Sequence, residues 1–292
     1  GAAVRRYCPS RQYLGCSESD MSDSRPLGPP NSEGMLPVTS EQFVRARRRL
    51  LKMHRESDVG HLGGALSCLD ALLIIFHEVL RPSDEFILSK GHAVSALYTT
   101  LWSLGELHDE DLKTFVQDDT LLAGHPPIGA LEHIRFATGS LGHGFSIAAG
   151  TALACRLMNQ DARVYCMTSD GEWQEGSTWE ALIFSCHHQL ANLTVLIDEN
   201  HLQAFGLTSE VASMDPLAHR LSGFDADVTV VDGHDPDEIR TALAATQDRF
   251  RIIVLQTVKG ARVSAIANQL ESHYLPLTDE QYRTAIEEVG EP

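Results

Sequence analysis

Two short apolar runs constrain this chain most. Val164-Tyr165-Cys166-Met167 and Leu193-Thr194-Val195-Leu196-Ile197 each lead straight into a polar motif. Runs of this length, partly β-branched and bounded by polar residues, read as strands buried on both faces, the pattern of a parallel sheet. Residues 179–190 between them read as the crossover helix of a βαβ unit. The motifs Ser169-Asp170-Gly171-Glu172-Trp173-Gln174-Glu175-Gly176 and Asp198-Glu199-Asn200-His201-Leu202 therefore fall at the C-terminal ends of two parallel strands. Open α/β sheets bind their ligands at that edge.

The residue types narrow the ligand. Asp170 offers a carboxylate and Asn200 an amide oxygen, both hard donors suited to Mg²⁺ or Ca²⁺. Gly171 lets the backbone approach a phosphate with no Cβ in the way. A metal held by few protein oxygens takes its remaining ligands from phosphates and water. The pair thus reads as a metal–diphosphate site. A lone Asp-Gly is more often only a turn; its weight here comes from the Asn placed after the next strand.

Along the chain, residues 1–38 are rich in Ser, Pro and Gly and read as a disordered extension, with Cys8 and Cys16 in it and Met21 or Met35 as candidate native starts. A docking arm for a partner is the alternative. No apolar segment follows Arg5 and Arg6, so the tail is not a secretory signal. The folded part, 39–292, opens with the capping box Thr39-Ser40-Glu41-Gln42, after which Phe43, Ala46, Leu50 and Met53 recur at helical spacing. Arg45, Arg48, Arg49, Lys52 and Arg55 on the other face read as solvated, or as a contact for an acidic subunit. Gly60-His61-Leu62-Gly63-Gly64 opens a helix over 65–80, and strand 86–88 leads into Ser89-Lys90-Gly91-His92 before a helix over 93–104. A helix N-terminus beside a His favours phosphate. Gly124-His125-Pro126-Pro127 reads as a rigid loop. Thr138-Gly139-Ser140-Leu141-Gly142-His143-Gly144 precedes a small-residue helix over 145–158. A strand over 228–231, a helix from Pro236 and a last strand over 252–256 complete about six mostly parallel strands with helices on both faces, an α/β domain. His234, in an Asp-Gly-His turn, reads as structural.

These motifs carry a resemblance. Asp-Gly-Glu-x-x-Glu-Gly followed by Asp-x-Asn is similar to the diphosphate motif of thiamine diphosphate enzymes. Ser89-Lys90-Gly91-His92-Ala93, Gly124-His125-Pro126, residues 138–144, Val231-Asp232-Gly233-His234-Asp235 and Thr257-Val258-Lys259-Gly260 narrow it to transketolases. The likeness runs over about residues 41–288 and resembles the N-terminal, diphosphate-binding part of a full transketolase. Leu62 stands where that family usually has Pro, Ser169 where it has Gly, and Ser272 where it has Trp. The resemblance implies thiamine diphosphate and Mg²⁺ or Ca²⁺ as cofactors. It implies Asp170, Asn200 and the Leu202 carbonyl as metal ligands. His92, Gly171, Glu172 and Asn200 would hold the diphosphate, with Gly139, Ser140 and Leu141 at the aminopyrimidine. His61, His125 and His273 are the implied proton-handling residues, a surface position being the alternative for His273. Glu175 would meet its counterpart across a subunit contact and help link two active sites. The implied assembly is two copies of this chain with two of a C-terminal transketolase-like subunit that supplies the pyrimidine-binding domain, so that the chain alone would be inactive.

Composition sets the outer bounds. A net charge of −17 argues against nucleic acid or an anionic membrane as partner. No run of eighteen purely apolar residues suggests a transmembrane helix. Cys68, Cys155, Cys166 and Cys186 lie in apolar segments without zinc spacing and read as reduced core residues, which suits a cytoplasmic enzyme. The expected reaction is transfer of a two-carbon ketol unit from a ketose or 2-oxoacid donor to an aldehyde. Three readings stay open beside it: an acyl or ketol transferase with a non-sugar acceptor, an α-type subunit of a 2-oxoacid dehydrogenase, and a non-catalytic interaction subunit.

Overall fold

The computed structural model describes residues 36–129 and 131–292; residues 1–35, most of the expected extension, lie outside them. The last part of that extension is anchored rather than loose. Val38 is buried, its amide donates to Glu78 Oε1 at 2.8 Å, and Arg240 donates to its carbonyl at 3.1 Å.

Helix α1 (Ser40–Ser57) begins at the expected capping box, with Thr39 Oγ1 accepting from Gln42 N at 3.2 Å and Gln42 Oε1 accepting from Thr39 N at 2.8 Å. Helix α2 (Leu62–Ile74) continues through a wider turn over Ile75–Val79 to strand β1 (Glu85–Leu88). The 18 residues Leu62–Val79 are apolar and long enough to cross a membrane, but 89% of them are buried inside the fold, so this is its central core helix. Helices α3 (Val94–Ser103), α4 (Asp109–Leu112) and α5 (Gly144–Leu157) lead to β2 (Val164–Ser169), then α6 (Gly176–His187) to β3 (Leu193–Glu199). A small hairpin, β4 (Leu202–Gln203) with β5 (Gly206–Leu207), is followed by α7 (Thr208–Ala212), α8 (Leu217–Leu221), β6 (Asp227–Asp232), α9 (Pro236–Ala244), β7 (Arg251–Gln256) and α10 (Asp279–Val289).

The main sheet is fully parallel, in the order β1-β2-β3-β7-β6. It has five strands rather than about six, because the remaining extended residues form the separate antiparallel hairpin. Alternate strand residues enter two cores. Tyr165, Met167, Leu196, Ile253 and Leu255 pack with α1, α2, α3 and α9 on one face. Val164, Cys166, Val195, Ile197, Ile252 and Val254 pack with α5 and α6 on the other. Burial on both faces explains why these strands read as continuous apolar runs. Since every strand points the same way, all five C-terminal ends form one rim.

The basic face of α1 departs from expectation. Arg45 and Lys52 are exposed, but Arg49 is buried, with Nε 2.6 Å from Asp109 Oδ1, and Arg48 donates to the α10 carbonyls of Ile286 and Gly290 at 3.1 and 2.7 Å. Helices α4 and α10 cover this face with acids and chain-end carbonyls, so part of the charge is neutralised within the fold. Cys68, Cys155 and Cys166 are buried free thiols and Cys186 is half-buried.

Candidate active site

The rim gathers the sequence-predicted residues from five separate segments. After β1 the chain turns through Ser89-Lys90 into a short 3-10 turn, Gly91–Ala93, that carries His92. A Cβ on Gly91 would stand 2.9 Å from the Thr138 carbonyl, so glycine is what lets this turn lie against the 138–144 loop. His61 sits before α2 with φ +67° and donates its amide to the His273 carbonyl at 3.1 Å, which pins the C-terminal segment over the loop. Ring centroids put His61 4.9 Å from His273, 5.8 Å from His92 and 6.3 Å from His125, and His92 5.5 Å from His273. The chain separates these four histidines widely; the fold makes them one cluster.

None of the four has a carboxylate beside it, and all are held towards the neutral form. Burial, then the neighbouring Lys90, His273 and His61, puts His92 well below its usual value. Burial, then Lys259, brings His273 down to about 3, and burial followed by His125 and Lys259 lowers His61. Burial alone lowers His125, which is the most exposed of the set. Neutral imidazoles can accept or donate a proton near pH 7.

Asp170, Asn200 and Leu202 meet at the ends of β2 and β3. Asp170 accepts from Gly171 N at 2.7 Å and His201 N at 2.6 Å. Burial, then the charge of Asp198, pushes its carboxyl up to about 6. Asn200 donates through Nδ2 to Ser67 Oγ at 3.4 Å and Asp198 Oδ2 at 3.3 Å, while its Oδ1 accepts from Leu202 N at 3.2 Å. Lys259 joins the two halves of the site: its Nζ donates to the Leu202 carbonyl at 2.7 Å and to His273 Nδ1 at 3.1 Å. Burial, then Lys90, brings that ammonium down to about 8.

Other predicted residues take different places. Gly139 faces the His125 ring, whose Cδ2 lies 3.2 Å from where a Cβ would be; Ser140 is exposed and Leu141 half-buried. Glu172 points inward. It is fully buried, accepts from Gly142 N at 2.7 Å and from Ser89 Oγ, and so clasps the 138–144 loop to the ends of β1 and β2. Its acceptor oxygens are engaged inside the protein, so its direct role is to shape the site. Glu175 is exposed at the start of α6 and makes no capping bond, while its Cβ packs against Gly142. His234 bonds Val258 N away from the histidine cluster.

Sequence reasoning left Lys90, Asp198 and Lys259 without a role. Lys90 and Asp198 form a fully buried ion pair, and Ser67 Oγ donates to Asp198 Oδ2 at 2.6 Å. The available signal was a lysine directly after an apolar strand in Ser89-Lys90-Gly91, and again in Val258-Lys259-Gly260. Such a lysine cannot reach solvent easily and needs a partner at the rim.

These groups fit thiamine diphosphate and a divalent metal. Among the described residues no three His, Cys, Asp or Glu side chains cluster as a metal site. The expected donor set is instead one carboxylate, one amide oxygen and one carbonyl, which suits a hard cation completing its shell from phosphate and water. The Asp170 carboxyl, lifted by burial and by Asp198, has no cation beside it within the fold, a lack that a divalent ion would supply. Two buried lysines and two glycines, Gly64 and Gly171, leave a cationic space bare of side chains for a diphosphate.

Comparison with known proteins agrees. The profile described as "Transketolase, thiamine diphosphate binding domain" matches residues 40–291. One of the two subunits of the apulose-4-phosphate transketolase of Phocaeicola vulgatus is 35% identical over 262 residues, 86% of this chain and 93% of that protein. The 6-deoxy-6-sulfo-D-fructose transketolase subunit SqwG of a Clostridium species is 34% identical over 79% of this chain and 88% of that protein. The crystal structure of transketolase from Campylobacter jejuni superposes with a TM-score of 0.80 at 29% identity, covering 86% of this chain but only 42% of that one. This chain therefore belongs to the transketolase family of thiamine diphosphate-dependent transferases, and it aligns along most of the length of the subunits that carry the cofactor-binding domain in split members of that family.

Proposed function

We propose that this chain is the cofactor-binding subunit of a two-component transketolase. It acts with a second subunit that contributes the pyrimidine-binding domain, in an assembly of two copies of each. Both relatives are named as subunits, and both are named for ketoses bearing an anionic phosphate or sulfonate group, which supports an anionic ketose as donor. We place the enzyme in the cytoplasm, in keeping with its free buried thiols.

Thiamine diphosphate, when bound, supplies an electron sink for breaking the bond next to a ketone carbonyl. Asp170, Asn200 and the Leu202 carbonyl hold Mg²⁺. His92, Lys90 and Lys259 offset the diphosphate charge in a space where water is scarce. His61, His125 and His273 hold and move protons at the carbonyl and hydroxyl oxygens of donor and acceptor. Glu175 stays in reserve as a contact between subunits.

The observation that carries this reading is the meeting of four histidines held neutral with an under-compensated buried Asp170 on one sheet rim. The test is ketol transfer from hydroxypyruvate by this chain with its candidate partner, alongside light scattering of each alone and together. His61→Ala should lower turnover about 10²–10⁴-fold with cofactor affinity little changed. Turnover within about threefold of wild type would remove His61 from the chemistry, and robust turnover without a partner would end the two-component proposal.

A further inference from the structure

The Asp232-Gly233-His234 turn has no task in the chemistry above, yet it is tied closely to the rim. After β6 it folds back on the end of β7. Gly233 N donates to Gln256 O at 2.8 Å, and a Cβ on Gly233 would stand 2.4 Å from Thr257 Cγ2 and 3.1 Å from Gln256 O. Only glycine allows so close an approach. The His234 amide donates to Asp232 Oδ1 at 2.8 Å, which sets the turn, and the ring Nε2 accepts the Val258 N–H at 2.9 Å. A backbone amide can only donate, so Nε2 carries no proton and Nδ1 carries it. Nδ1 is buried, without a hydrogen bond, 3.5 Å from Asp70 Oδ2. Asp70 lies buried on α2, ion-paired with Arg47 of α1. The ring is thus held between the α1–α2 layer and the strand that ends in Val258.

The residue after Val258 is Lys259, whose Nζ spans the Leu202 carbonyl and His273 Nδ1. A lysine reaches its target through a flexible stem, so where its head lies depends on where its backbone is fixed.

We propose that His234 is a positioning residue for the active site. By holding the Val258 amide it fixes the 257–259 segment, and through that segment it aims Lys259 at Leu202 and His273. The consequence for ligand binding rests on the transketolase reading given above; the positioning itself does not.

The test compares His234→Gln, His234→Leu, Lys259→Met and the double variant His234→Leu with Lys259→Met, each in the full chain. Gln places an acceptor oxygen near where Nε2 stands, and Leu does not; His234→Asn, whose shorter amide falls short of Val258, replaces Leu if that variant fails to fold. The first readout is the ¹⁵N signal of the His273 ring. With Lys259 donating to Nδ1 the proton is fixed on Nε2. Lys259→Met and His234→Leu should both return the ring to a mixture of tautomers, and His234→Gln should keep the wild-type signal. The second readout is the dissociation constant for thiamine diphosphate with Mg²⁺. It should rise about tenfold in His234→Leu, as coupled neighbours typically allow, and by less than about twofold in His234→Gln. Added to Lys259→Met, His234→Leu should weaken binding no further. An unchanged His273 signal in a folded Leu or Asn variant, a Gln variant as weak as Leu, or fully additive effects would each overturn the proposal. Failure of the wild-type chain, with its partner, to bind thiamine diphosphate would count against the function instead, and the ring signal would still decide the positioning role.

Discussion

Asp170 and Asp198 stand at the ends of neighbouring strands, joined by the Asp170 N–H donating to the Asp198 carbonyl at 3.1 Å. Both are buried, yet the protein treats them oppositely. Asp198 is completed from within: Lys90, Ser67, Thr257 and Asn200 all donate to its carboxylate. Burial would push Asp198 up, but Lys90 and the hydroxyl donors outweigh it and hold the acid below its ordinary value. Asp170 receives two backbone amides and no cation in direct contact, and it rises to about 6. A buried acid that the fold satisfies is scaffold; one left short of positive charge is a place for a ligand to supply it.

The largest effect should come from breaking the completed acid. Lys90→Met leaves Asp198 charged and unpaired in the interior, and should cost about 3–5 kcal/mol in denaturant unfolding whether or not Mg²⁺ is present. A loss below about 1 kcal/mol would mean that the hydroxyl donors suffice without the ion pair.

The unfinished acid should respond to pH in the opposite sense from an ordinary salt-bridged carboxylate. Between about pH 4 and 6 the folded chain keeps a proton on Asp170 that the unfolded chain has released, so stability from this group falls as pH rises through that window. The displacement from 3.8 to about 6 corresponds to about 3 kcal/mol. Asp170→Asn should remove that slope and raise the stability of the metal-free chain at pH 7, while abolishing metal-dependent thiamine diphosphate binding in calorimetric titration. Millimolar Mg²⁺ with the cofactor should flatten the wild-type slope and leave the variant unchanged. If cofactor affinity survives in the variant, Asp170 is not a metal ligand.

A smaller change should link the two acids. Ser67→Ala removes one donor from Asp198 and one support from the Asn200 amide. It should cost about 1.5–3 kcal/mol, the range for a hydrogen bond to a charged group, and also weaken Mg²⁺-dependent cofactor binding. A stability loss with unaltered binding would separate the acids that the comparison joins. The smallest effect belongs to a distant control: Thr39→Ala breaks the α1 capping box for about 1 kcal/mol and should leave the Mg²⁺ response untouched.

The parts that were legible in the sequence share a cause. The start of α1 is set by Thr39 and Gln42, three residues apart, and the five sheet strands by short runs whose burial is written into each run. Asp170 with Asn200 was legible because strand, motif, helix and strand follow one another along the chain. The rim's supporting residues were not, because their partners lie far away: Ser67 is 131 residues from Asp198, and Lys259 is 57 from Leu202. Arg49 misled for the same reason, since Asp109, 60 residues on, covers what looks like an exposed helix face.

The sequence alone thus determined the strands, the polar motifs that end them, the family they resemble and the residue types offered to a diphosphate and a metal, since each of these depends on neighbours along the chain. Only the tertiary structure decided which acid is neutralised and which is left open, that four scattered histidines form one cluster, that Glu172 turns inward, and that Lys259 bridges the two halves of the site. Those outcomes depend on burial and on charge at distances of a few ångströms, and a linear order of residues does not specify which groups will share that space.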